Sequence, residues 1–321
     1  MTDLLARVER DVERHGLWAP GARIVAALSG GADSVAALLL LADLARAGRV
    51  VLAGAAHLDH QLRTEAAADA AFCRALCGRL AVPYVEGVAD VRRRALEWGG
   101  SIEAAARRER YAFLESARLQ LAADRIAVAH TADDQAETVL LRLLRGAGTR
   151  GLRGILPARG RIVRPVLGCR REELRAFLRA RGQSWTEDAS NADVSVPRNR
   201  IRHELLPLLA ARYQPAVTRL LARTAEVADA EDALLEAMAA SAYARAVERG
   251  ASGLELRTMA LVVLPLALAR RVVRQALDPA RRAASTSPTS NARWRCAALG
   301  DRVPQRRLVC AWNVFPPALS Y

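Results

Sequence analysis

Short apolar runs alternate with longer stretches of helical pattern from residue 23 to residue 130 of the chain. The runs have the length of buried strands and lie at 23–28, 50–57, 82–88 and 125–130. The stretches between them are long enough for helices and lie at 34–47, 64–80 and 101–121. Strands and helices that alternate at this spacing build a parallel sheet with helices on both faces. The pattern therefore predicts an α/β fold with a doubly wound, Rossmann-like parallel sheet.

A glycine loop follows the first apolar run and is the strongest candidate for a ligand site. It consists of Ser29-Gly30-Gly31-Ala32-Asp33-Ser34 and opens the next predicted helix. Ligands of doubly wound sheets bind beyond the carboxyl ends of the strands, where this loop falls. Glycines permit a tight turn, and the amides at a helix start attract an anion such as phosphate. Asp33 would repel a bare anion but suits a divalent cation beside a phosphate. The alternative is an ordinary glycine turn with a helix cap.

A second polar segment, His57-Leu58-Asp59-His60-Gln61-Leu62-Arg63, follows the second apolar run. It holds two of the five histidines of the chain. The segment is a candidate ligand-binding loop, with a solvated loop or a metal-binding pair as alternatives. No further ligands lie at the fixed spacing that a zinc site requires.

Three carboxylates lie near the start of the helix that follows the fourth apolar run, in the segment 130–138. Asp133 and Glu137 are four residues apart and Asp134 and Glu137 are three apart, so they share a helix face. Thr131 with Asp134 resembles a capping box, which accounts for part of the pattern structurally. The number of carboxylates exceeds what capping needs, and a face of oxygen donors suits Mg²⁺.

The chain carries a formal net charge of +14, and all 48 of its basic residues are arginines. Such an excess predicts a polyanionic partner, either nucleic acid or an anionic membrane surface. Twelve arginines and two glutamates lie between Arg142 and Arg181, so most of the net charge is concentrated there. A chain without lysine has no Walker A loop, Schiff-base lysine or serine–lysine dyad.

The cysteines and the apolar runs indicate where in the cell the protein is located. The five cysteines, Cys73, Cys77, Cys169, Cys296 and Cys310, do not have the spacing of zinc or redox motifs. We interpret Cys73 and Cys77 as small buried hydrophobes on one helix face. The longest apolar runs, 35–42 and 259–269, are shorter than the roughly 20 residues of a membrane span. We therefore expect a soluble, cytoplasmic protein without a membrane partner.

Taken together, the motifs resemble those of the tRNA(Ile)-lysidine synthetases, which belong to the PP-loop (N-type) ATP pyrophosphatases. The match runs in unbroken order from about residue 20 to about residue 210. Its later motifs are not shared by PP-loop enzymes at large. The similar segments are 29–34, 57–63, 103–111 (Glu-x-x-Ala-Arg-x-x-Arg-Tyr), 130–137, 141–146, Arg164-Pro165, Trp185-x-Glu187-Asp188-x-Ser190-Asn191 and Arg198-Asn199-Arg200-Ile201-Arg202.

The resemblance implies a two-step reaction on an isoleucine tRNA with a CAU anticodon. ATP would transfer AMP to the C2 oxygen of the wobble cytidine and release pyrophosphate. The amine of free L-lysine would then displace AMP and form lysidine. ATP and Mg²⁺ are the implied cofactors, and a homodimer is left open.

The resemblance also implies a role for each motif residue. Asp33, Arg107, Asp133, Asp134 and Glu137 would be catalytic, with Arg107 on phosphate and Asp133 beside the lysine and metal sites. Asp33, Asp134 and Glu137 would hold Mg²⁺. Arg198, Arg200 and Arg202 would contact tRNA or brace the domain junction. ATP would be bound by Ser29, Gly30, Gly31, Ala32, Asp33, Ser34 and, at the adenine, His57.

Changes in composition predict three parts of the chain. Residues 1–212 form the PP-loop catalytic domain, and the alanine-rich residues 213–280 form a smaller helical domain for the substrate or tRNA. Residues 281–321 form a divergent tail that matches no pattern of the family.

Other classes of function stay open as alternatives. A PP-loop tRNA sulfurtransferase would need cysteines placed to carry sulfur or an iron–sulfur cluster, and the cysteine spacing does not supply them. A non-catalytic RNA-binding protein would have lost a motif carboxylate, whereas Asp33, Asp134 and Glu137 are all present. A PP-loop synthetase acting on a small molecule would not need the arginine-dense segment.

Overall fold

The computed structural model describes residues 2–61, 66–187, 193–250 and 253–277. The predicted tail 281–321 lies outside the described residues, as do Leu62, Arg63, Asp188, Ser190 and Asn191 of the two motif segments. By the contacts within the chain, the protein divides into two compact units, Met1–Asp229 and the part that begins at Ala230.

A six-stranded sheet organises the first unit. Its strand order is β3-β2-β1-β4-β6-β5, and all neighbouring strands run parallel except β5, which pairs antiparallel with β6. The chain leaves β1 in one direction and returns on its other side with β4, which is a topological switch point. The strands are β1 (Arg23–Ala27), β2 (Val51–Asp59), β3 (Tyr84–Val88), β4 (Arg125–Ala127), β5 (Ala158–Arg159) and β6 (Ile162–Val163).

Helices connect and cover these strands. Those of the first unit are α1 (Thr2–Arg14), α2 (Ala32–Arg46), α3 (Ala66–Arg79), α4 (Val91–Trp98), α5 (Ile102–Gln120), α6 (Ala132–Leu144), α7 (Thr149–Leu152), α8 (Arg171–Ala180), α9 (Pro197–Arg200) and α10 (Leu206–Arg212). A π-helical turn, Ile201–Leu205, joins α9 to α10. Helix α11 (Val217–Ala246) follows.

The alternation of side chains along β1 explains why both faces of the sheet are covered. Ile24 and Ala26 pack into a core with α1, α2, α3 and α8, whereas Val25 packs into a separate core with α5. Helix α2 is buried along most of its length, which matches its nearly continuous apolar sequence. The position of α2 in this core places the loop that precedes it at the carboxyl end of β1.

The fold class expected from the sequence is confirmed, and the four apolar runs form β1, β2, β3 and β4. The short strands β5 and β6 were not expected, because two residues are too few to show a period.

The unit that begins at Ala230 is helical, as expected, with a short hairpin. It contains the end of α11, the antiparallel strands β7 (Val247–Gly250) and β8 (Gly253–Leu256), α12 (Thr258–Val262) and α13 (Leu266–Leu277). A buried ion pair between Arg271 of α13 and Asp232 of α11 lies beside its apolar core. The boundary that we predict at 212/213 stays a prediction.

Among the described residues, no helix has the length and apolar character needed to cross a membrane.

Candidate active site

The glycine loop lies between β1 and α2 and is held by its own two serines. The Ser34 hydroxyl donates to the Gly31 carbonyl at 2.9 Å and accepts from the Ser29 amide at 3.1 Å. The Ser29 hydroxyl lies 3.0 Å from the Ser34 hydroxyl. These bonds fix the loop. Ser34 is buried whereas Ser29 is exposed, so the Ser29 side chain and the loop backbone are the parts that a ligand can reach.

Gly30 has a positive φ of 90° and lies against Thr186. A Cβ atom at position 30 would come within 2.7 Å of the Thr186 hydroxyl oxygen. The Thr186 amide donates to the Gly30 carbonyl at 2.9 Å, and Gly31 forms a parallel bridge with Thr186. Glycine is therefore required here for both conformation and space.

Helix α2 begins without a side-chain cap. Gly31 is its N-cap residue and makes no capping hydrogen bond, so the first amides of the helix stay available to an anion. Asp33 in this first turn has a buried Oδ1 atom without a hydrogen-bond partner in the described structure. The start of α2 thus combines anion-binding amides with an unsatisfied carboxylate oxygen.

The predicted capping box at the start of α6 is confirmed. Asp134 Oδ2 accepts from the Thr131 amide at 2.8 Å and from the Thr131 hydroxyl at 2.9 Å. The other oxygen of Asp134, Oδ1, accepts from Arg171 and from Arg198, at 3.1 Å in each case. The Glu137 side chain is fully buried.

Three arginines from later in the chain neutralise these carboxylates. Arg171 lies 3.2 Å from Asp33, 3.1 Å from Asp134 and 3.5 Å from Glu137. Arg198 lies 2.8 Å from Glu137 and 3.1 Å from Asp134. Arg202 binds both oxygens of Glu137, at 2.6 and 3.0 Å. We call these six residues the carboxylate–arginine cluster; it contains three negative and three positive charges.

Burial and the arginines act in opposite directions on the pKa values of the carboxyls. Burial raises the pKa of Asp33, and Arg171 offsets only part of that rise. Burial would also raise the pKa of Asp134, but Arg171, Arg198 and the Thr131 amide outweigh it and hold the pKa below its ordinary value. Asp134 is therefore firmly ionised, whereas additional positive charge would stabilise the ionised form of Asp33.

The carboxylate oxygens of the cluster suit a hard divalent cation, and the Asp33 oxygen that lacks a hydrogen-bond partner could coordinate it. As they stand, no three His, Cys, Asp or Glu residues in the described ranges are grouped to hold a metal ion. The physical reason is visible in the cluster, because the guanidinium of Arg171 lies among Asp33, Asp134 and Glu137.

Asp133 points away from Glu137, although the two are one helical turn apart. Its side chain accepts from the Arg171 amide at 2.8 Å and pairs with Arg170 at 3.4 Å. Asp133 thus holds the start of α8, and its expected place beside a lysine and metal site stays a prediction.

His57 and Arg107 lie outside the cluster. His57 is buried in β2, and its Nδ1 atom lies 2.9 Å from the Leu28 carbonyl, which requires an Nδ1 proton. Its Nε2 atom is buried without a partner in the described structure, which leaves an acceptor for a ligand group. Arg107 is exposed on α5, with its guanidinium 5.0 Å from the centre of the Tyr111 ring.

Two functional candidates were missed by sequence reasoning. Arg171 is one, because the arginine-dense segment suggested RNA contacts and not a place among the carboxylates. His130 is the other: burial lowers its pKa to about 4, so it is neutral and accepts from Arg164 Nε at 3.0 Å. Both residues lie in motif segments of the sequence, His130 at the start of 130–138 and Arg164 in Arg164-Pro165, but neither segment gave these two side chains a role.

The described cysteines are free and buried. Burial raises the pKa of Cys73 to about 12 and the pKa values of Cys77 and Cys169 to about 11. Thiols with such pKa values are poor nucleophiles at neutral pH.

A parallel sheet with an uncapped glycine loop and buried carboxylates at its switch point defines a nucleotide-binding protein of the PP-loop class. The family model described as a PP-loop domain matches residues 4–209.

Curated relatives make the assignment more specific. The chain is 45% identical over 287 residues to the tRNA(Ile)-lysidine synthase of Symbiobacterium thermophilum, covering 86% of this chain and 59% of the relative. It is 40% identical over 268 residues to that of Gloeobacter violaceus, covering 82% of this chain and 79% of the relative. The chain belongs to the tRNA(Ile)-lysidine synthase family, as the sequence motifs predicted. It spans 59% and 58% of the lengths of the Symbiobacterium and Solibacter usitatus relatives.

A solved structure supports the fold alone. The U34-tRNA thiolase NcsA of Methanococcus maripaludis, solved with its [4Fe-4S] cluster, is similar with a TM-score of 0.57 at 14% identity. The similarity covers 70% of this chain and 78% of that chain.

Proposed function

We propose that the protein ligates L-lysine to C2 of the wobble cytidine in an isoleucine tRNA with a CAU anticodon. The C2 oxygen of the cytidine attacks the α-phosphorus of ATP, and pyrophosphate leaves. The amine of lysine then attacks C2 of the adenylated cytidine, loses a proton, and AMP leaves. By this reaction the protein would be a ligase that forms carbon–nitrogen bonds, and we expect it to act in the cytoplasm.

The observation that carries the proposal is the convergence of two motif segments that are distant in sequence. Arg198 and Arg202 belong to the motif that PP-loop enzymes at large do not share. They reach Asp134 and Glu137 of the segment that follows β4. The motif residues typical of the lysidine synthetases therefore lie beside the glycine loop, where a second substrate would have to bind.

The residues of the chain would divide the work as follows. The backbone of the glycine loop and the first turn of α2 would bind the pyrophosphate part of ATP, and His57 would lie near the adenine. Arg107 would contact phosphate and stabilise the charge that develops during transfer. Asp33, Asp134 and Glu137 would hold Mg²⁺, which neutralises phosphate charge when bound.

The exposed arginines between β6 and α8 and along α8 supply positive charge for RNA phosphates. Arg170 and Arg179 are examples, since 44% and 55% of their side-chain surfaces are exposed. A homodimer stays a prediction that sedimentation would test.

The test incubates the purified protein with ATP, Mg²⁺, labelled lysine and a transcript of the isoleucine tRNA with CAU. We expect AMP, pyrophosphate and labelled tRNA in equal amounts. The control transcript carries uridine at the wobble position and should accept no label. AMP release without label in tRNA would reject lysine ligation, and the absence of ATP turnover would reject the proposal as a whole.

A sulfurtransferase is disfavoured by the described cysteines. Cys73, Cys77 and Cys169 are buried with raised pKa values, which suits packing and not sulfur transfer.

A further inference from the structure

Arg171 contacts every carboxylate of the carboxylate–arginine cluster, whereas Arg198 and Arg202 reach Asp134 and Glu137. Within the described part of the chain, the guanidinium of Arg171 is the group that forms an ion pair with the Asp33 carboxylate. The Arg171 side chain is 20% exposed, and arginine stays protonated in proteins. A permanently charged group therefore occupies the space between the three carboxylates.

The backbone of α8 fixes Arg171 in this place. Arg171 is the first residue of α8, and its amide donates to Asp133 at 2.8 Å. Glu173 accepts from the Arg170 amide at 2.6 Å and closes the same turn. The start of α8 is thus tied to α6 through Asp133, which aims the Arg171 side chain at the glycine loop.

A guanidinium and a divalent cation cannot both lie within contact distance of Asp33 without strong mutual repulsion. Even at the effective dielectric constant of a protein surface, charges a few ångströms apart interact strongly. Arg171 cannot relieve the repulsion by losing its proton, because an arginine side chain stays protonated in proteins. Entry of the cation therefore requires movement of the Arg171 side chain.

We propose that Arg171 is a positioning residue that occupies the cation position between Asp33, Asp134 and Glu137 until a divalent cation arrives with ATP. Arg171 keeps the carboxylates of α2 and α6 together in the nucleotide-free protein. When the cation binds Asp33, the Arg171 side chain moves away from this carboxylate. Its guanidinium then contacts the anionic phosphates of ATP. The inference rests on the proposed function only in naming ATP as the ligand that brings the cation.

The test measures Mn²⁺ binding to the full chain without nucleotide, by the electron paramagnetic resonance signal of free Mn²⁺. Mn²⁺ shares the oxygen-ligand preference of Mg²⁺. Arg171→Gln removes the competing charge and should tighten the Mn²⁺ dissociation constant roughly tenfold or more. Arg171→Lys keeps the charge but not the planar fork, so its gain should be smaller.

Two control variants make the result specific. Arg179→Gln removes an exposed arginine from the same helix and should leave Mn²⁺ binding as in the wild type. Arg171→Gln combined with Asp33→Asn should lose the gain, because Asp33 supplies the oxygen that Arg171 blocks. Circular dichroism checks that each variant is folded.

Unchanged Mn²⁺ affinity in both Arg171 variants would overturn the proposal, as would an equal gain in Arg179→Gln. If Arg171→Gln does not fold, Arg171→Met, which also removes the charge, takes its place: a gain in Mn²⁺ binding supports the proposal and no gain overturns it. The assay contains neither ATP nor tRNA. A gain in Mn²⁺ binding together with failed lysine ligation would therefore reject the proposed function and support the role of Arg171.

Discussion

Replacement of Glu137 by glutamine tests whether the carboxylate–arginine cluster holds the fold together. The Glu137 side chain is fully buried and accepts from Arg198 at 2.8 Å and from Arg202 at 2.6 Å. Glutamine keeps the size of the side chain and removes its charge, which leaves the arginines in excess. Breaking a buried ion pair by removing one partner costs about 3–5 kcal/mol of the free energy of unfolding.

The exposure of the partners decides where in that range the effect falls. Arg198 is 39% exposed and can regain water, whereas Arg202 is 20% exposed and stays largely confined. We therefore expect the lower part of the range, about 3 kcal/mol. For a unit of this size, about 1 kcal/mol shifts Tm by about 2–4 °C, so Tm should fall by about 6–12 °C.

Thermal unfolding followed by circular dichroism measures this shift. The matched control is Glu172→Gln, because Glu172 is 67% exposed and pairs with Arg179 at 2.8 Å on the surface of α8. Exposed pairs contribute about 0–1 kcal/mol, so the control should lose at most about 4 °C. A Glu137→Gln protein that melts with the wild type would refute the view that these ion pairs stabilise the fold.

Three further predictions concern charge and reactivity. Asp33→Asn should raise Tm at pH 7.5 and weaken Mg²⁺-dependent ATP binding. Burial raises the pKa of Asp33 in the folded state, so ionisation of Asp33 lowers the free energy of unfolding as pH rises through that pKa. The gain in Tm should therefore vanish at acid pH, and an equal gain at all pH values would contradict the assignment of the pKa. The native protein should resist alkylation by iodoacetamide at pH 8 at Cys73, Cys77 and Cys169, and these cysteines should react after unfolding. The reason is that burial raises their pKa values to about 12, 11 and 11, respectively. Mass spectrometry counts the adducts. Binding of tRNA should weaken steeply with salt, with a log–log slope of about −3 if four phosphates of a single strand are contacted, and a flat dependence in filter binding would exclude that role of the arginines.

The sheet could be predicted from sequence because its central strands are buried on both faces. Such strands are continuous apolar runs, as in β1 and β2, and their spacing leaves room for one helix each. The hairpin of β7 and β8 could not be predicted in the same way. It is short, and its turn glycines, Gly250 and Gly253, indicate only a break in an otherwise helical pattern.

The carboxylates of the site could be predicted from their spacing on a helix, but their orientation could not. Asp133 and Asp134 both lie within one turn of Glu137. Only the fold shows that Asp134 shares its arginine partners with Glu137, whereas Asp133 accepts from the first amide of α8. Arg171 shows the limit more clearly. It has an arginine before it and others after it in α8, so no local feature marks it as the one that reaches Asp33.

The contact between Gly30 and Thr186 links two positions that lie far apart in the chain. The space that glycine leaves is filled by the threonine hydroxyl, and the two backbones are joined by a hydrogen bond. A larger residue at either position would separate the glycine loop from the backbone of residue 186. Position 30 should therefore stay glycine among related proteins, and the residue at position 186 should be limited to side chains that fit against it.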